Sequence, residues 1–417
     1  MAELKLLEEH KGAAPYVACA LLLRSGEAVV FQKEGNEPAV VRLATQQVVA
    51  VLRGHGDGVN SIDEHPSGAY FATGCWDRKV RLFDRTGALL WTKDHASCVY
   101  GVEFSPDGAL LASCSGDKTI RLWSVPGGAM VRQLSGHTNQ VYAVAFSPDG
   151  QTLLSGGYGS TARVWRVASG EQLRQLDGGG YVSTVAFSLD GLWAATGCFA
   201  EEDDADGGDS DEDEGDDDDV NDSGDNSVHL WSTASWSLVR TLLCGSRVSG
   251  VLFTPDSQKV VVQSTEDIAV WDVATGQEGF TIADAVGTFL SMTPLGDRLA
   301  AASDRSKTVR VFDSSSLVDV SRIPTAALAI IPASAWFWVP AHELARLSAP
   351  ARACLPMEVL RRVPSEARVG LAGALSVEAV ELLSAYRPRW LPRLPLGVLH
   401  RLPPSDRSAC IAFLGAR

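Results

Sequence analysis

The sequence predicts an all-β protein, a seven-bladed propeller, with a small α-helical region at its C-terminal end. Three observations carry that prediction. First, a unit close to 40 residues long repeats: His55, His95 and His137 stand 40 and 42 residues apart, and 28 residues beyond them come Phe83, Trp123 and Trp165. Second, each unit holds short alternating apolar runs separated by tight turns. In 95–123 the runs 99–104 and 110–113 flank Ser105-Pro106-Asp107-Gly108, and 119–123 follows Gly116-Asp117-Lys118. Proline presets φ and Asp-Gly accepts the positive-φ positions of a hairpin, so three antiparallel strands fit within the unit. Third, the composition changes sharply after about residue 323, from strand-like to proline- and arginine-rich.

The repeats carry recognisable chemistry. Gly54-His55, Gly136-His137, the Ser-Pro-Asp-Gly turns at 105 and 147, and Trp271-Asp272 resemble the motif of the WD-repeat (WD40-type) β-propeller family over residues 1–320, leaving the C-terminal region unassigned. The resemblance implies the fold and says little about function.

Taken in order, residues 15–52 match the blade pattern weakly, with runs at 16–22, 27–32, 39–43 and 48–52. Further blades open at Gly54, Asp94, Gly136, Gly178, Gly245 and about Asp284, which makes seven, a common number for a closed ring. Closure removes raw strand edges. Residues 4–7 and 317–323 compete for the last outer strand, and the family's habit of closing with the N-terminal strand favours 4–7.

The family's buried hydrogen-bond set joins a turn Asp, the Gly-His histidine, a strand hydroxyl and the Trp. The resemblance carries it onto His55, Thr73 and Asp77 (with Phe83 for Trp), onto His95, Ser113, Asp117 and Trp123, and onto His137, Ser155 and Trp165 (with Gly159 for Asp). The next blade keeps Thr196, Asp225 and Trp231 but lacks the histidine, and the last two are degenerate. A Ser-His-Asp set that recurs with each blade reads as structural, with polar atoms satisfied at fixed partners. Gly-x-Ser-x-Gly, Gly-x-x-x-x-Gly-Lys and His-Glu-x-x-His are absent. The expectation is no enzyme, no cofactor and no metal.

One blade is interrupted by residues 201–226, which hold 16 acidic residues and no basic ones. Like charges repel and almost nothing there is apolar, so the segment is expected to be a disordered acidic loop between the blade's second and third strands. It reads as a solubilising insertion or as bait for a basic partner. Asp209, Asp211 and Asp213 begin like an EF-hand, but Glu214 and Val220 stand where Gly and Glu belong. Family members bind peptides on the face that carries this turn. The corresponding positions here are Asn60, Trp76, Tyr100, Gln140, Tyr142, Tyr158, Tyr181 and Arg247, rich in the residue types that carry interface energy and accept cations.

Residues 324–417 contain 11 of the 19 prolines, 11 arginines, no lysine and 6 acids. Segments starting at Pro340, Pro356 and Pro395, with a divergent copy from Ser376, place proline at a first turn before apolar residues four apart, the pattern of short amphipathic helices. Residues 355–360 resemble the start of an F-box, and the Leu-Pro pairs a SOCS box, although neither spacing is completed; a ubiquitin-ligase substrate adaptor is the alternative function this suggests. Residues 323–341 are 19 residues without a charge, but three prolines argue for a linker over a membrane span. The expected layout is a propeller over 1–322, a linker over 323–341 and a short-helix region over 342–417.

Charge and cysteines exclude several classes. Outside 201–226 the chain carries 36 basic and 35 acidic residues, so no basic surface for nucleic acid is expected. The eight cysteines form no Cys-x-x-Cys pair and fall mostly in strand runs, which suits a reducing compartment. The charged start MAELKLLEEHKG has no apolar core, so no secretory signal is expected, and the compartment would be cytoplasmic or nuclear. The sequence thus points to a non-catalytic scaffold for other proteins, with basic peptides drawn to the acidic loop, no nucleic acid and no membrane.

Overall fold

The computed structural model describes residues 5–11, 19–34, 36–199, 226–283, 289–303, 308–324, 339, 341–348, 355 and 359. Seven four-stranded antiparallel sheets are present among them. From the inside outward, blade 1 runs Ala20–Leu22, Ala28–Glu34, Glu37–Arg42, Val48–Val51. Blade 2 runs Val59–Glu64, Tyr70–Cys75, Lys79–Asp84, Leu89–Asp94. Blade 3 runs Val99–Phe104, Leu110–Ser115, Thr119–Ser124, Met130–Ser135, and blade 4 Val141–Phe146, Thr152–Gly157, Thr161–Arg166, Gln172–Asp177. Blade 5 is Tyr181–Phe187, Trp193–Phe199, Ser227–Ser232, Ser237–Leu243; blade 6 is Val248–Phe253, Lys259–Ser264, Asp267–Asp272, Glu278–Ala283. Blade 7 takes Phe289–Met292, Arg298–Ser303 and Thr308–Asp313, and its outer strand is Lys5–Lys11 from the N-terminal end. Of the two segments competing to close the ring, the N-terminal one does so. Residues Ser315–Leu317 and Val320–Arg322 are single 3-10 turns instead.

The turn between the first two strands recurs because its side chains wire it. In blade 3 Ser105 Oγ donates to Asp107 Oδ1 (2.6 Å) and accepts from Leu110 N–H (2.9 Å), while Asp107 accepts from Ala109 N–H. The fourth turn position is left-handed throughout: Gly26, Gly68, Gly108, Gly150, Gly191 and Gly296 have φ between 67° and 72°, and Ser257 substitutes at 59°.

The apolar core lies between blades. Ala72, Val80 and Leu82 of blade 2 pack on Val99, Val102, Phe104, Leu111 and Trp123 of blade 3. Blades 1 and 7 share a similar cluster, with Val29, Phe31 and Val41 against Val309 and Val311. Polar staples join neighbours at both radii. Near the centre, Asp63 Oδ2 accepts from Phe104 N–H (2.8 Å), Glu103 Oε2 from Phe146 N–H (3.1 Å), and Ser183 Oγ donates to the Val248 carbonyl (2.7 Å). At the rim, Trp91 Nε1 donates to the Pro126 carbonyl (2.8 Å) and Arg132 to the Ala168 and Ser169 carbonyls (2.7 and 2.8 Å). The ring is locked shut by Arg298 Nη1 on the Gly26 carbonyl (2.7 Å) and by Leu22 N–H on Ser291 Oγ (3.2 Å).

A bulge at the start of the inner strand recurs in blades 2 to 6, between Val59/Ser61, Val99/Gly101, Val141/Ala143, Val182/Thr184 and Val248/Gly250. The skipped residue has no ladder partner, which re-aims its side chain. In blades 2 to 4 that residue is Asn60, Tyr100 and Tyr142, and this local irregularity places the two tyrosines in the candidate site.

Compactness separates 1–318 from 319–417. In the second unit the structure describes the turn Val320–Arg322 and one short helix, α1 (Ala341–Arg346), in the first of the proline-led segments. The segments from Pro356, Ser376 and Pro395 lie outside the described residues, apart from Val359. So do 201–225 and 325–338, the bulk of the acidic insertion and of the apolar stretch. No helix among the described residues is long and apolar enough to cross a membrane.

Candidate functional site

Two constellations were singled out by sequence, and the structure separates them. In blade 3 Trp123 Nε1–H donates to Ser113 Oγ (2.8 Å), Ser113 Oγ lies 2.8 Å from His95 Nε2, and His95 Nδ1 lies 2.9 Å from Asp117 Oδ2. One tautomer satisfies the chain: Nδ1–H donates to the carboxylate and Nε2 accepts the serine proton. The order mimics a catalytic triad, but Ser113 is 0% exposed and its oxygen already serves two partners, so it has no open approach to a carbonyl carbon. Burial lowers the pKa of His95 despite the pull of Asp117, so the imidazole is neutral. Burial also opposes ionisation of Asp117, but hydrogen bonds from Thr119, Ala96 and His95 outweigh it and hold the carboxyl at about 2.

The other blades use parts of the set. In blade 4 His137 Nε2 lies 2.7 Å from Ser155 Oγ, which accepts from Trp165 Nε1–H (2.8 Å); burial takes this imidazole down to about 3. In blade 2 His55 Nε2 meets Thr73 Oγ1 (2.9 Å), but its Nδ1 turns to the Leu52 carbonyl (3.1 Å) and not to Asp77. Asp77 is held instead by both guanidinium nitrogens of Arg81 (3.0 and 2.6 Å) and by Gly56 N–H. In blade 5 Trp231 Nε1 donates to Thr196 Oγ1 (3.1 Å). That blade lacks the Gly-His histidine, but another imidazole stands near its place, with Nε2 3.3 Å from Ser227 Oγ. His229, from the third strand, is buried edge-on to Trp231 at 5.9 Å and lies against Gly179, close to where a Gly-His imidazole would come from.

The second constellation is a chain of rings at one end of the blades, built from starts of inner strands and ends of second strands. Tyr100 and Tyr142 meet edge to face at 4.8 Å, and Tyr142 and Tyr158 at 6.4 Å. Tyr158 and Tyr181 stack at 3.8 Å with planes 12° apart, and Tyr181 leans on Phe199 at 5.5 Å. Arg247 places its guanidinium carbon 3.8 Å from the Phe199 centroid. At the opposite end Tyr100 Oη donates to Gln140 Oε1 (2.8 Å). The run crosses blades 3 to 6. Burial raises the pKa of Tyr100 and Tyr142, so both hydroxyls stay protonated.

Six of the eight face residues expected from sequence therefore come together: Tyr100, Gln140, Tyr142, Tyr158, Tyr181 and Arg247. Asn60 instead donates to the Val99 carbonyl across the blade 2–3 seam (3.0 Å). Trp76 is 51% exposed in blade 2, apart from the run. Phe199 was missed because the position was sought one residue before the turn Asp, and the acidic insertion displaces Asp225 from it. Counting three forward from the strand hydroxyl (Thr73 to Trp76, Ser155 to Tyr158, Thr196 to Phe199) finds it at once.

The remaining titratable groups serve other ends. Burial pushes the thiols of Cys75, Cys198 and Cys244 up to about 12 and raises Cys19 and Cys114 further, which disarms them as nucleophiles. Among the described residues no three His, Cys, Asp or Glu side chains converge to hold a metal ion.

A closed ring of seven four-stranded blades, wired by repeated His–Ser–Trp sets, defines a repeat-built β-propeller. Three stretches, residues 46–84, 87–124 and 128–166, match the family model "WD domain, G-beta repeat", so the propeller carries WD repeats. Each matched stretch begins at or just before an outer strand and ends after the third strand of the next blade, so consecutive repeats interlock. Curated relatives match parts of the chain. Actin-interacting protein 1 of Drosophila melanogaster is 32% identical over 109 residues, 25% of this chain and 18% of the relative. WD repeat-containing protein 1 of Bos taurus is 40% identical over 76 residues, 17% of this chain and 12% of the relative. DDB1- and CUL4-associated factor 13 of Dictyostelium discoideum is 31% identical over 93 residues, 22% of this chain and 21% of the relative. The chain thus matches only a small part of each relative's length.

Proposed function

We propose that this protein is a non-catalytic interaction scaffold whose propeller presents the Tyr100–Phe199 ring run to a peptide segment of another protein. The observation that carries the reading is the continuity of that run across blades 3 to 6. Half-buried Tyr and Phe rings on rigid strands offer large contact area at little entropic cost, the property of interface hot spots. The buried Ser113 hydroxyl and its neutral imidazole are read as structural, as are the corresponding groups in blades 2 and 4. The sequence attaches the acidic insertion directly after Phe199, so its charge would draw basic partners to this face.

A second reading, a substrate adaptor of a ubiquitin ligase, draws on the relative named as DDB1- and CUL4-associated. Against it, Trp271-Asp272 is followed by Val273-Ala274 where ligase-bound propellers carry Trp-Asp-x-Arg. The proline-led segments of the C-terminal unit are proposed as short helices that engage a second partner.

The test is a comparative capture from native lysate using full-length protein, a 201–226 deletion, a 324–417 truncation and Tyr142→Ala. Tyr142→Ala should weaken retention of its partners more than tenfold, since a hot-spot ring contributes about 2 kcal/mol or more, while thermal stability stays within a few degrees. Unchanged retention by a folded Tyr142→Ala protein would remove the ring run from the function.

A further inference from the structure

Arg247 stands at the end of the ring run, just before the inner strand of blade 6. Its carbonyl accepts from Thr265 N–H (2.9 Å), so the backbone is fixed while the side chain is exposed. Among the described residues its guanidinium makes no ion pair or hydrogen bond; its one contact of note is the face of Phe199 at 3.8 Å. The positive charge is also felt at the Tyr142 hydroxyl, further along the run. Other arginines at this end of the propeller are tied down: Arg81 by Asp77, Arg121 by Asp117 and the Asp94 carbonyl, Arg163 by Gln172. An arginine with a charged partner is held by that partner. Arg247 is held only by a ring quadrupole, which any other guanidinium can satisfy equally well.

We infer that Arg247 is a built-in occupant of a guanidinium site on Phe199, displaced when an arginine side chain of the partner lies on that ring. This rests on the ring run being a peptide-binding face, and it names what the end of that face receives. Exchange explains why an exposed arginine is kept on the run without a carboxylate. It covers an otherwise solvent-facing phenyl group in the free protein, and it leaves readily because no salt bridge has to break. Displacement frees Arg247 to pair with an acidic group of the same ligand. The site prefers arginine over lysine, because a planar guanidinium stacks on a ring and a compact, strongly hydrated ammonium does so less well.

The experiment measures fluorescence anisotropy of fluorescein-labelled Gly-Arg-Gly-Arg-Gly and of its lysine counterpart, titrated with full-length protein near physiological salt. The variants are Arg247→Met, which keeps an apolar chain without the charge, Phe199→Leu, which keeps bulk without the ring face, and the double variant. Arg247→Met should bind the arginine peptide about fivefold more tightly than the parent, the range expected of an exposed cation–ring contact, with a smaller gain for the lysine peptide. The gain should vanish in the double variant. Equal or weaker binding by Arg247→Met, including no binding by either protein, overturns the inference. A gain that persists without the Phe199 ring overturns it too, since relief of charge repulsion alone would then explain it. These outcomes are independent of the Tyr142→Ala capture: that experiment can sustain the binding face while this one removes Arg247 from it.

Discussion

Blades 3 and 4 are neighbours built from the same repeat, and they divide the labour of the molecule at one turn. Blade 3 has Gly116-Asp117 there and blade 4 has Tyr158-Gly159. In blade 3 the Asp117 carboxylate accepts from Ala96 N–H (3.0 Å), Thr119 N–H (3.1 Å), Thr119 Oγ1 (2.6 Å) and Arg121 Nη2 (3.2 Å), besides His95. The preceding Gly116 lies under Tyr100, where a Cβ would come within 2.8 Å of Ser97 Oγ and 3.4 Å of the Tyr100 ring. That turn is spent entirely on scaffold. In blade 4 the carboxylate is gone, Arg163 turns away to Gln172, and the residue before the glycine is Tyr158, stacked on Tyr181. The His137–Ser155–Trp165 triangle survives without its Asp. The core of the repeat is therefore the hydroxyl and its two ring partners, and the turn Asp can be given up where the turn is needed for the binding face.

The sharpest way to break that conclusion is to remove the hydroxyl. Ser113→Ala leaves the buried Trp123 Nε1–H without an acceptor and His95 Nε2 without a donor, at a cost of about 3 kcal/mol. Ser155→Ala should cost a similar amount in blade 4, although that blade has no Asp. Chemical denaturation of both variants measures it. A loss in blade 4 far below that in blade 3 would mean that the Asp117 end, and not the hydroxyl, holds the repeat together.

Much of this was legible in the chain. Fixed spacings from His55, His95 and His137 gave the strand order and most of the hydroxyl, histidine and ring partners of three blades, because a repeated unit must present the same atoms at each copy. The blade count rested on the weaker strand pattern of the other four. What stayed hidden depended on register or on a substitute from elsewhere. Phe199 was concealed by an insertion that breaks the spacing on one side of it. His229 brings an imidazole near the lost histidine's place from a different strand, at a position where blades 2 to 4 have arginine. His55 was expected beside Asp77, but the competing Arg81 fork claims that carboxylate, a choice of partner that spacing cannot express. The N-terminal closing strand was weighed against 317–323, and pairing of Lys5–Lys11 with Thr308–Asp313 decided it.

Protonation offers a second, smaller test of the two blades. His137 titrates at about 3 when folded, below its ordinary value of 6.5, so its contribution to stability is present above pH 6.5 and is lost as the pH falls towards 3. Asp63 has the opposite sign. Burial raises it from 3.8 to about 6, so its contribution is complete below 3.8 and is lost as the pH rises through 6. Stability of the parent and of His137→Asn, measured by denaturation from pH 7 to pH 4.5, should show a shallower fall for the variant, with the two slopes differing by up to about 1.4 kcal/mol per pH unit, one proton's worth. Parallel slopes would show that His137 takes up its proton at the same pH in the folded and unfolded protein, and so is not depressed by burial.

The smallest expected effect is a gain, and it asks whether blade 4 gave up its Asp for lack of room. Gly159 does not have a left-handed φ, and a Cβ there would meet nothing closer than Thr138 Oγ1 at 3.5 Å and Asn139 Cβ at 3.9 Å. Neither backbone nor packing demands glycine. In Gly159→Asp the new carboxylate should reach His137 Nδ1 and the Thr138 N–H, as Asp117 reaches His95 and Ala96. A net hydrogen bond to a charged group outweighs the fixing of one short side chain, so stability should rise by about 1 kcal/mol, and the His137 pKa should move up from its depressed value. Tyr158, one residue earlier, should keep its stack on Tyr181, and peptide binding should be unchanged. If stability rises while binding falls, the looser turn is required by the ring run itself. The absence of Asp would then be part of the site and not merely tolerated by the fold.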